Sequence, residues 1–159
     1  MNKYIIGNSR MRHLSPLNDD QINDYQNKTY SIIGAAMNIY NELGPGFSEP
    51  VYQECMKIVC DEQGIPCDRE VPLTMYFHDK ALKKEYQADM VCYGNIIVEF
   101  KAVSKIIDSL RAQLFNYLRI TQMECGVLIN FGEADGLHVE KYLYNSIKDK
   151  FELFYFEKK

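Results

Sequence analysis

The chain lacks the long apolar runs that mark membrane and secreted proteins. None of its 159 residues belongs to an uninterrupted apolar stretch of about 18 residues, the length that a membrane-spanning helix needs. The first 20 residues also lack the central apolar run of a secretory signal. We therefore expect a protein that works in the cytoplasm and does not contact membranes.

Cysteine and histidine do not form the patterns that are typical of metal sites or disulfide frameworks. The five cysteines are odd in number and show no CxxC spacing, and the three histidines lie far apart. Zinc binding and disulfide bonds are therefore disfavoured. Reduced thiols, buried or incidental, are the expected state.

An excess of positive charge is missing as well. The net charge of −4 argues against a protein that coats nucleic acid through bulk electrostatics. It is compatible with an enzyme that reaches phosphate through a metal ion, because the ion would offset acidic side chains locally. The glycines Gly44 and Gly46 lack the spacing and the following lysine of a phosphate-binding loop.

Length and composition favour one folded domain. A chain of 159 residues with 47% hydrophobic content can bury one substantial core. Polar residues dominate the start of the chain, which offers little to bury. We predict a flexible N-terminal arm at residues 1–19, a domain at residues 20–145 and a C-terminal extension at residues 146–159.

Two helices are predicted in the first part of the chain. The first runs from Ile22 to Gly44, where glycine supplies a stop. Its apolar stripe consists of Ile22, Tyr25, Thr29, Ile33, Ala36, Met37 and Tyr40. The second begins at Pro50, which suits the first helical turn, ends near Gln63, and places Glu49 at its start. Its stripe consists of Val51, Cys55, Ile58 and Val59.

The remaining pattern predicts an α/β fold with a restriction-endonuclease-like core. Residues 67–77, 85–92 and 96–102 read as an antiparallel meander, with turns at 78–80 and 93–95. A helix at 108–121 and a buried strand at 126–131 follow, and a strand, a helix and a strand imply a right-handed crossover and parallel pairing. The mixed sheet is then flanked by helices. Residues 137–144 suit a further strand or a sheet edge, and the pattern at 151–156 leaves its state open.

An acid and an amine share one face of a predicted buried strand. In an extended chain Glu99 and Lys101 point to the same side, opposite Phe100. Charged groups are rare in such a strand unless they have a partner or a function. With Asp89 and Glu49 the chain offers three carboxylates and one lysine, the groups that a divalent metal and a phosphodiester require.

The loop between two strands decides whether Asp89 and Glu99 can meet. A three-residue loop at 93–95 pairs residue 92 with 96 and therefore Asp89 with Glu99, whereas a two-residue loop places Asp89 opposite Phe100 on the apolar face. In the first register both carboxylates can ligate Mg²⁺, and Lys101 lies near an attacking water. Glu49 could then reach the site through a water molecule or accept a second ion.

Two polar residues on the third predicted helix face the same way. Gln113 and Tyr117 are four positions apart and lie on one helical face. Their polar ends could hold the substrate or the amine of Lys101.

Six segments follow one another in the order of a known nuclease family. They are LGPGFSEPVYQ at 43–53, REVP at 69–72, YQAD at 86–89, VEFKAV at 98–103, AQLFNYL at 112–118 and LINFG at 128–132. The ordered set resembles the PD-(D/E)XK nuclease superfamily, and more closely the bacterial GxxExxY protein family within it. Ala88 stands where the superfamily motif has proline.

The resemblance implies roles for the residues already singled out. Asp89, Glu99 and Lys101 take the catalytic positions, with Glu49 as the upstream helical acid. The three carboxylates are the implied ligands of Mg²⁺ or Mn²⁺. Gln113 matches the first position and Tyr117 the last of a QxxxY element implied to contact substrate.

Two functions are compatible with this pattern. The first is a metal-dependent nuclease that hydrolyses phosphodiester bonds, most simply in DNA. The second is a catalytically silent module that keeps the nuclease fold and binds nucleic acid or a protein partner. A homodimer or an accessory protein suits either. Without a function, Glu99 and Lys101 would be a surface ion pair worth about 0 to 1 kcal/mol, and Glu49 a helix-capping acid.

Overall fold

The computed structural model describes residues 17–154, which form a six-stranded mixed sheet with helices on both faces. The elements are α1 Asp19–Leu43, α2 Glu49–Gln63, β1 Cys67–Phe77, β2 Lys80–Cys92, β3 Ile96–Lys101, α3 Asp108–Thr121, β4 Cys125–Asn130, β5 His138–Asn145 and β6 Lys150–Leu153. The strands lie side by side in chain order. Neighbours are antiparallel except β3 and β4, which are parallel. The predicted α/β fold with a meander and one parallel pairing is confirmed.

Helix α1 begins earlier than predicted and turns a slightly different face to the core. It begins at Asp19 because Asn18 and Gln21 form a capping box, and it ends at Leu43, where the following Gly44 has a φ of 65°. The predicted stripe is right at Tyr25, Thr29 and Ala36. It is wrong at Ile33 and Met37, because after Thr29 the inward face advances by three residues rather than four; Tyr40 is half-buried and packs against the core, as predicted. The buried residues are Tyr25, Thr29, Ile32, Ala35, Ala36 and Ile39.

Helix α2 buries a narrower stripe than its apolar residues indicate. Tyr52, Met56 and Cys60, spaced by four, are its fully buried side chains. The predicted core residue Ile58 is 56% exposed, so that assignment is wrong. The prediction followed aliphatic content, whereas the helix places a tyrosine and a methionine inward.

The two central parallel strands are buried on both faces. Every residue of β3 and of β4 is buried. Phe100 lies in the core against α1 and α2, and Ile97 lies in the core against α3. Because side chains alternate along a strand, Glu99 and Lys101 lie on the α3 side.

The sheet extends further at both ends than predicted. Strand β2 begins at Lys80, five residues before the predicted start, and forms a long hairpin with β1. The segment whose state the sequence left open contributes β6, which pairs with β5. Of the predicted arm, residues 1–16 lie outside the described residues, as do 155–159 of the predicted extension. All five cysteines lie within the described residues and are free thiols.

Candidate active site

A three-residue loop fixes the register of β2 and β3. Residues 93–95 connect the strands, with Tyr93 and Gly94 both at positive φ. Cys92 pairs with Ile96 and Met90 with Val98. The predicted register is confirmed, and Asp89 and Glu99 are the next residues in line.

The carboxylates of Asp89 and Glu99 each accept a backbone hydrogen bond from the opposite strand at the point where the two strands separate. The backbone N–H of Asp89 donates to Oε1 of Glu99 over 3.0 Å. The backbone N–H of Phe100 donates to Oδ2 of Asp89 over 2.9 Å. Each carboxylate thus satisfies a backbone donor that the partner strand would otherwise satisfy. The two acids are held together by the backbone itself.

This pairing places an acidic side chain in a buried position. Glu99 is only 1% exposed. Burial, followed by the nearby charge of Asp89, raises the pKa of Glu99 well above its usual range. Burial also raises the pKa of Glu49; the charge of Lys101 opposes this rise and that of Asp89 adds to it. Glu49 therefore lies within electrostatic range of both.

The carboxylate pair fits a hard divalent cation. Mg²⁺ and Mn²⁺ prefer carboxylate, carbonyl and water oxygens, and a cation between Asp89 and Glu99 would offset their repulsion. Among the described residues, no group of three or more His, Cys, Asp or Glu side chains is placed to hold a metal ion. The site therefore offers two carboxylates from the sheet, and the role of Glu49 as a third ligand stays a prediction.

A row of polar side chains leads from β3 to α3. The Nζ of Lys101 donates to Oε1 of Gln113 over 2.7 Å. The Nε2 of Gln113 donates to the hydroxyl of Tyr117 over 3.0 Å. Lys101 and Tyr117 are both buried, so the row is held in one arrangement. The structure thus brings these three predicted residues together beside Asp89 and Glu99.

Tyr52 anchors the segment that carries Glu49, and sequence reasoning missed it. Its hydroxyl donates to the carbonyl of Gly44 over 2.6 Å and accepts from the N–H of Phe47 over 3.2 Å. Its ring stacks on Phe131 at 4.4 Å between centroids. The signal was present, because a tyrosine three residues after Glu49 lies one helical turn away and faces inward.

Asn130 is a second residue that sequence reasoning missed. It is fully buried and lies beside Lys101 in the parallel register. Its side chain accepts from the N–H of Val103 and donates to the carbonyl of the same residue, over 3.0 and 2.8 Å. It thereby fixes the chain that leaves β3 directly after Lys101. A buried asparagine at the end of an apolar strand was the available signal.

Within residues 17–154, no helix is both long and apolar enough to cross a membrane.

The chain was compared with curated proteins and with solved structures. No curated protein shows significant sequence similarity to the chain. The crystal structure of SSO0001 is similar over 75% of this chain and 57% of its own, with 19% identity and a TM-score of 0.48. This chain thus spans little more than half the length of that protein.

A family model gives the assignment. The model that describes the PD-(D/E)XK nuclease superfamily matches residues 26–142. The match covers most of the chain and includes Glu49, Asp89, Glu99 and Lys101. The chain therefore belongs to the PD-(D/E)XK nuclease superfamily.

Proposed function

We propose that the protein is a Mg²⁺- or Mn²⁺-dependent nuclease that hydrolyses phosphodiester bonds in DNA, and that it belongs to the GxxExxY group of its superfamily. Superfamily members usually use divalent metal ions. The observation that carries the proposal is the pair of backbone hydrogen bonds, from Asp89 N–H to Glu99 and from Phe100 N–H to Asp89, which keeps a buried acid and a half-buried acid together. Such an arrangement costs stability unless a cation offsets it.

Each side chain of the site has a role in this proposal. Asp89 and Glu99 hold the ion, and Glu49 contributes a third acid at the start of α2. A bound divalent ion supplies Lewis acidity and lowers the pKa of a bound water. Lys101 places positive charge where negative charge develops on the phosphate. Gln113 orients the amine of Lys101, and Tyr117 orients Gln113 through its hydroxyl.

A second candidate is a nuclease-fold module that binds nucleic acid or a protein partner without cleaving. The net charge of −4 and the absence of a three-residue metal cluster among the described residues favour it. A homodimer or an accessory protein would supply the substrate affinity that the acidic chain lacks. We further propose a cytoplasmic location, where the free cysteines stay reduced.

Metal titration and a cleavage assay test the proposal together. The first experiment is isothermal titration of Mn²⁺ into the wild type, Asp89→Ala and Glu152→Gln. Glu152→Gln is the control, because Glu152 is an exposed acid on β6 at the sheet edge. We expect the wild type and Glu152→Gln to bind Mn²⁺. Uptake by Asp89→Ala equal to that of the wild type would contradict the assigned ligands.

The cleavage assay uses supercoiled, linear and single-stranded DNA and RNA with Mn²⁺. We expect Lys101→Ala to reduce the cleavage rate about 100-fold or more. Equal cleavage by wild type and Lys101→Ala would overturn the assignment of that lysine. Metal uptake that depends on Asp89, without cleavage of any substrate, would favour the silent module.

A further inference from the structure

The hairpin of β1 and β2 extends past the rest of the sheet. Among the described residues, β3 pairs with only Met90–Cys92 of β2. The part of β2 before these residues pairs with β1 alone. Residues 80–85 are all exposed. The hairpin is therefore a two-stranded ribbon whose base lies at Asp89.

One face of this ribbon is basic and aromatic. Tyr86 lies opposite Leu73 and Lys80 lies opposite Phe77, and these two pairs share a face because Leu73 and Phe77 are four residues apart on β1. The register of the hairpin shifts between the two pairs. Lys84 belongs to the same face because its ammonium group lies over the Tyr86 ring. We call Phe77, Lys80, Lys84 and Tyr86 the ribbon face. Phe77 is 61% exposed. Glu85 falls on the other face, and Asp79 lies in the turn. Within residues 73–87, all of them described, no strand acid shares the ribbon face.

The ribbon face continues directly into the candidate active site. The Nζ of Lys84 lies 5.7 Å from the centroid of the Tyr86 ring. That ring meets Tyr117 edge to face, with centroids 6.3 Å apart. Tyr117 accepts the hydrogen bond from Gln113, which in turn accepts from Lys101. Contacts thus run without interruption from an exposed lysine to the lysine of the site.

We propose that the ribbon face binds the phosphodiester backbone of a nucleic acid as it leaves the active site, with Lys80 and Lys84 on phosphates. The inference rests on the proposed function and names the surface that engages its substrate. In a chain of net charge −4, an acid-free face with two exposed lysines and the exposed ring of Phe77 is complementary to a polyanion.

Strand geometry sets the length of nucleic acid that this surface covers. Lys84 lies five residues from Asp89 along β2. Lys80 pairs with Phe77, which lies seven residues along β1 from Glu70, and Glu70 lies opposite Asp89; the register shift after Thr74 accounts for the two extra residues on β2. At about 3.3 Å per residue the separations are roughly 16 and 23 Å. At about 3.4 Å per base step these lengths correspond to roughly five and seven base pairs of B-DNA.

The test measures binding rather than cleavage. Fluorescence anisotropy of a labelled DNA duplex of about 20 base pairs is followed in metal-free buffer over a range of salt concentrations. For the double variant Lys80→Ala, Lys84→Ala we expect Kd to rise roughly tenfold and the slope of log Kd against log salt to fall by about two. Lys80→Arg with Lys84→Arg should retain wild-type binding, because the charge remains.

Lys148→Ala is the matched control. Lys148 is exposed in the connection between β5 and β6, at the opposite edge of the sheet from the ribbon. Its removal should leave Kd and the salt slope unchanged. A loss equal to that of the ribbon variant would mean that total charge, not this face, governs binding, and would overturn the inference.

Substrate length gives a second readout. On a duplex that ends within about four base pairs of the cleavage point, wild type and ribbon variant should bind alike, because the shortened backbone no longer reaches Lys84. A tenfold difference that persists on the short duplex would contradict the inference.

Binding and cleavage separate this inference from the proposed function. Unchanged binding by the ribbon variant, or no binding by the wild type, overturns the inference whatever the cleavage assay gives. Weakened binding by the ribbon variant, with no cleavage by any form of the protein, supports the inference and makes the chain a silent module.

Discussion

At the scale of single residues, the carboxylate pair should lower the stability of the metal-free protein. Asp89 and Glu99 repel each other when both are charged, yet the backbone holds them together. Asp89→Asn removes one charge and keeps an oxygen for the N–H of Phe100. We expect the free energy of unfolding in metal-free buffer to rise by about 1 kcal/mol, measured by urea denaturation at pH 8, while cleavage is lost.

Asp89→Ala is the comparison for this prediction. It removes the same charge but also leaves the N–H of Phe100 without its acceptor, so it should be less stable than Asp89→Asn by about 1 kcal/mol or more. If Asp89→Asn were less stable than the wild type, repulsion within the pair would not be a significant term.

A second residue-scale prediction concerns close backbone approach at Gly132. A Cβ atom added there would lie 2.4 Å from both N and O of Val103, backbone atoms that Asn130 holds in place. We expect Gly132→Ala to lower the free energy of unfolding by about 2 kcal/mol or more.

Gly34→Ala is the control. Gly34 lies on the exposed side of α1, and a Cβ added there meets nothing within 4 Å. That change should instead stabilise by about 0.5 to 1 kcal/mol, and equal effects of the two would contradict the prediction.

At the scale of elements, an ion-pair network joins α3 to β5. Arg111 donates from Nε and Nη2 to the two oxygens of Glu140, over 2.7 and 2.8 Å. His138 and Tyr142 bond the same carboxylate. Burial acts to raise the pKa of Glu140, but the hydrogen bonds from Arg111, Tyr142 and His138 together lower it to about 2. The charged form of Glu140 is therefore part of the packing of α3.

This network predicts a specific loss of stability in acid. Because the pKa of Glu140 is lower in the folded chain than its ordinary value of 4.5, its contribution is complete above pH 4.5 and is lost as the pH falls toward 2. From the size of the shift this contribution is about 3 kcal/mol. Glu140→Gln should destabilise by about 2 to 3 kcal/mol at pH 7, and urea denaturation should show the gap to wild type narrowing below pH 4.5. Glu152→Gln should track the wild type, and a gap that is constant with pH would contradict the role of the Glu140 charge.

At the scale of the whole molecule, the sequence determines the centre of the fold better than its helices. The buried runs of β3 and β4 and the loop at 93–95 predicted the strand order, the parallel crossover and the register of Asp89 with Glu99. These features depend on period-two alternation and on loop length, which are local. The inward faces of α1 and α2 depend on how the helices meet the sheet, which is why Ile33 and Ile58 were misplaced.

The contacts that escaped prediction, in the candidate site and outside it, join distant segments. Three examples are the hydrogen bonds of Tyr52 to Gly44 and Phe47, those of Asn130 to Val103, and the ion pair of Arg111 with Glu140. In each, only the folded chain brings the partners together. Glu99 and Lys101 could be found because a charge in a buried strand is conspicuous on its own. A polar residue whose role is to hydrogen-bond backbone groups of a distant segment cannot be recognised from the sequence pattern in this way.

The edge of the sheet gives a prediction about the extent of the domain. The sequence predicts an extension beyond residue 145, yet Phe151 of β6 stacks on Phe115 at 4.2 Å and on Tyr144 at 4.7 Å. Asp149 accepts two hydrogen bonds from Arg119 on α3.

A chain that stops after Asn145 loses these contacts and exposes the rings of Phe115 and Tyr144 and the edge of β5. We expect its free energy of unfolding in urea to fall by about 2 to 4 kcal/mol. A chain that stops after Phe154 keeps β6 and isolates the effect of residues 155–159. Equal stability of both truncated chains would show that β6 is dispensable and that the domain ends at residue 145, because the aromatic stack would then contribute nothing that β5 does not already supply.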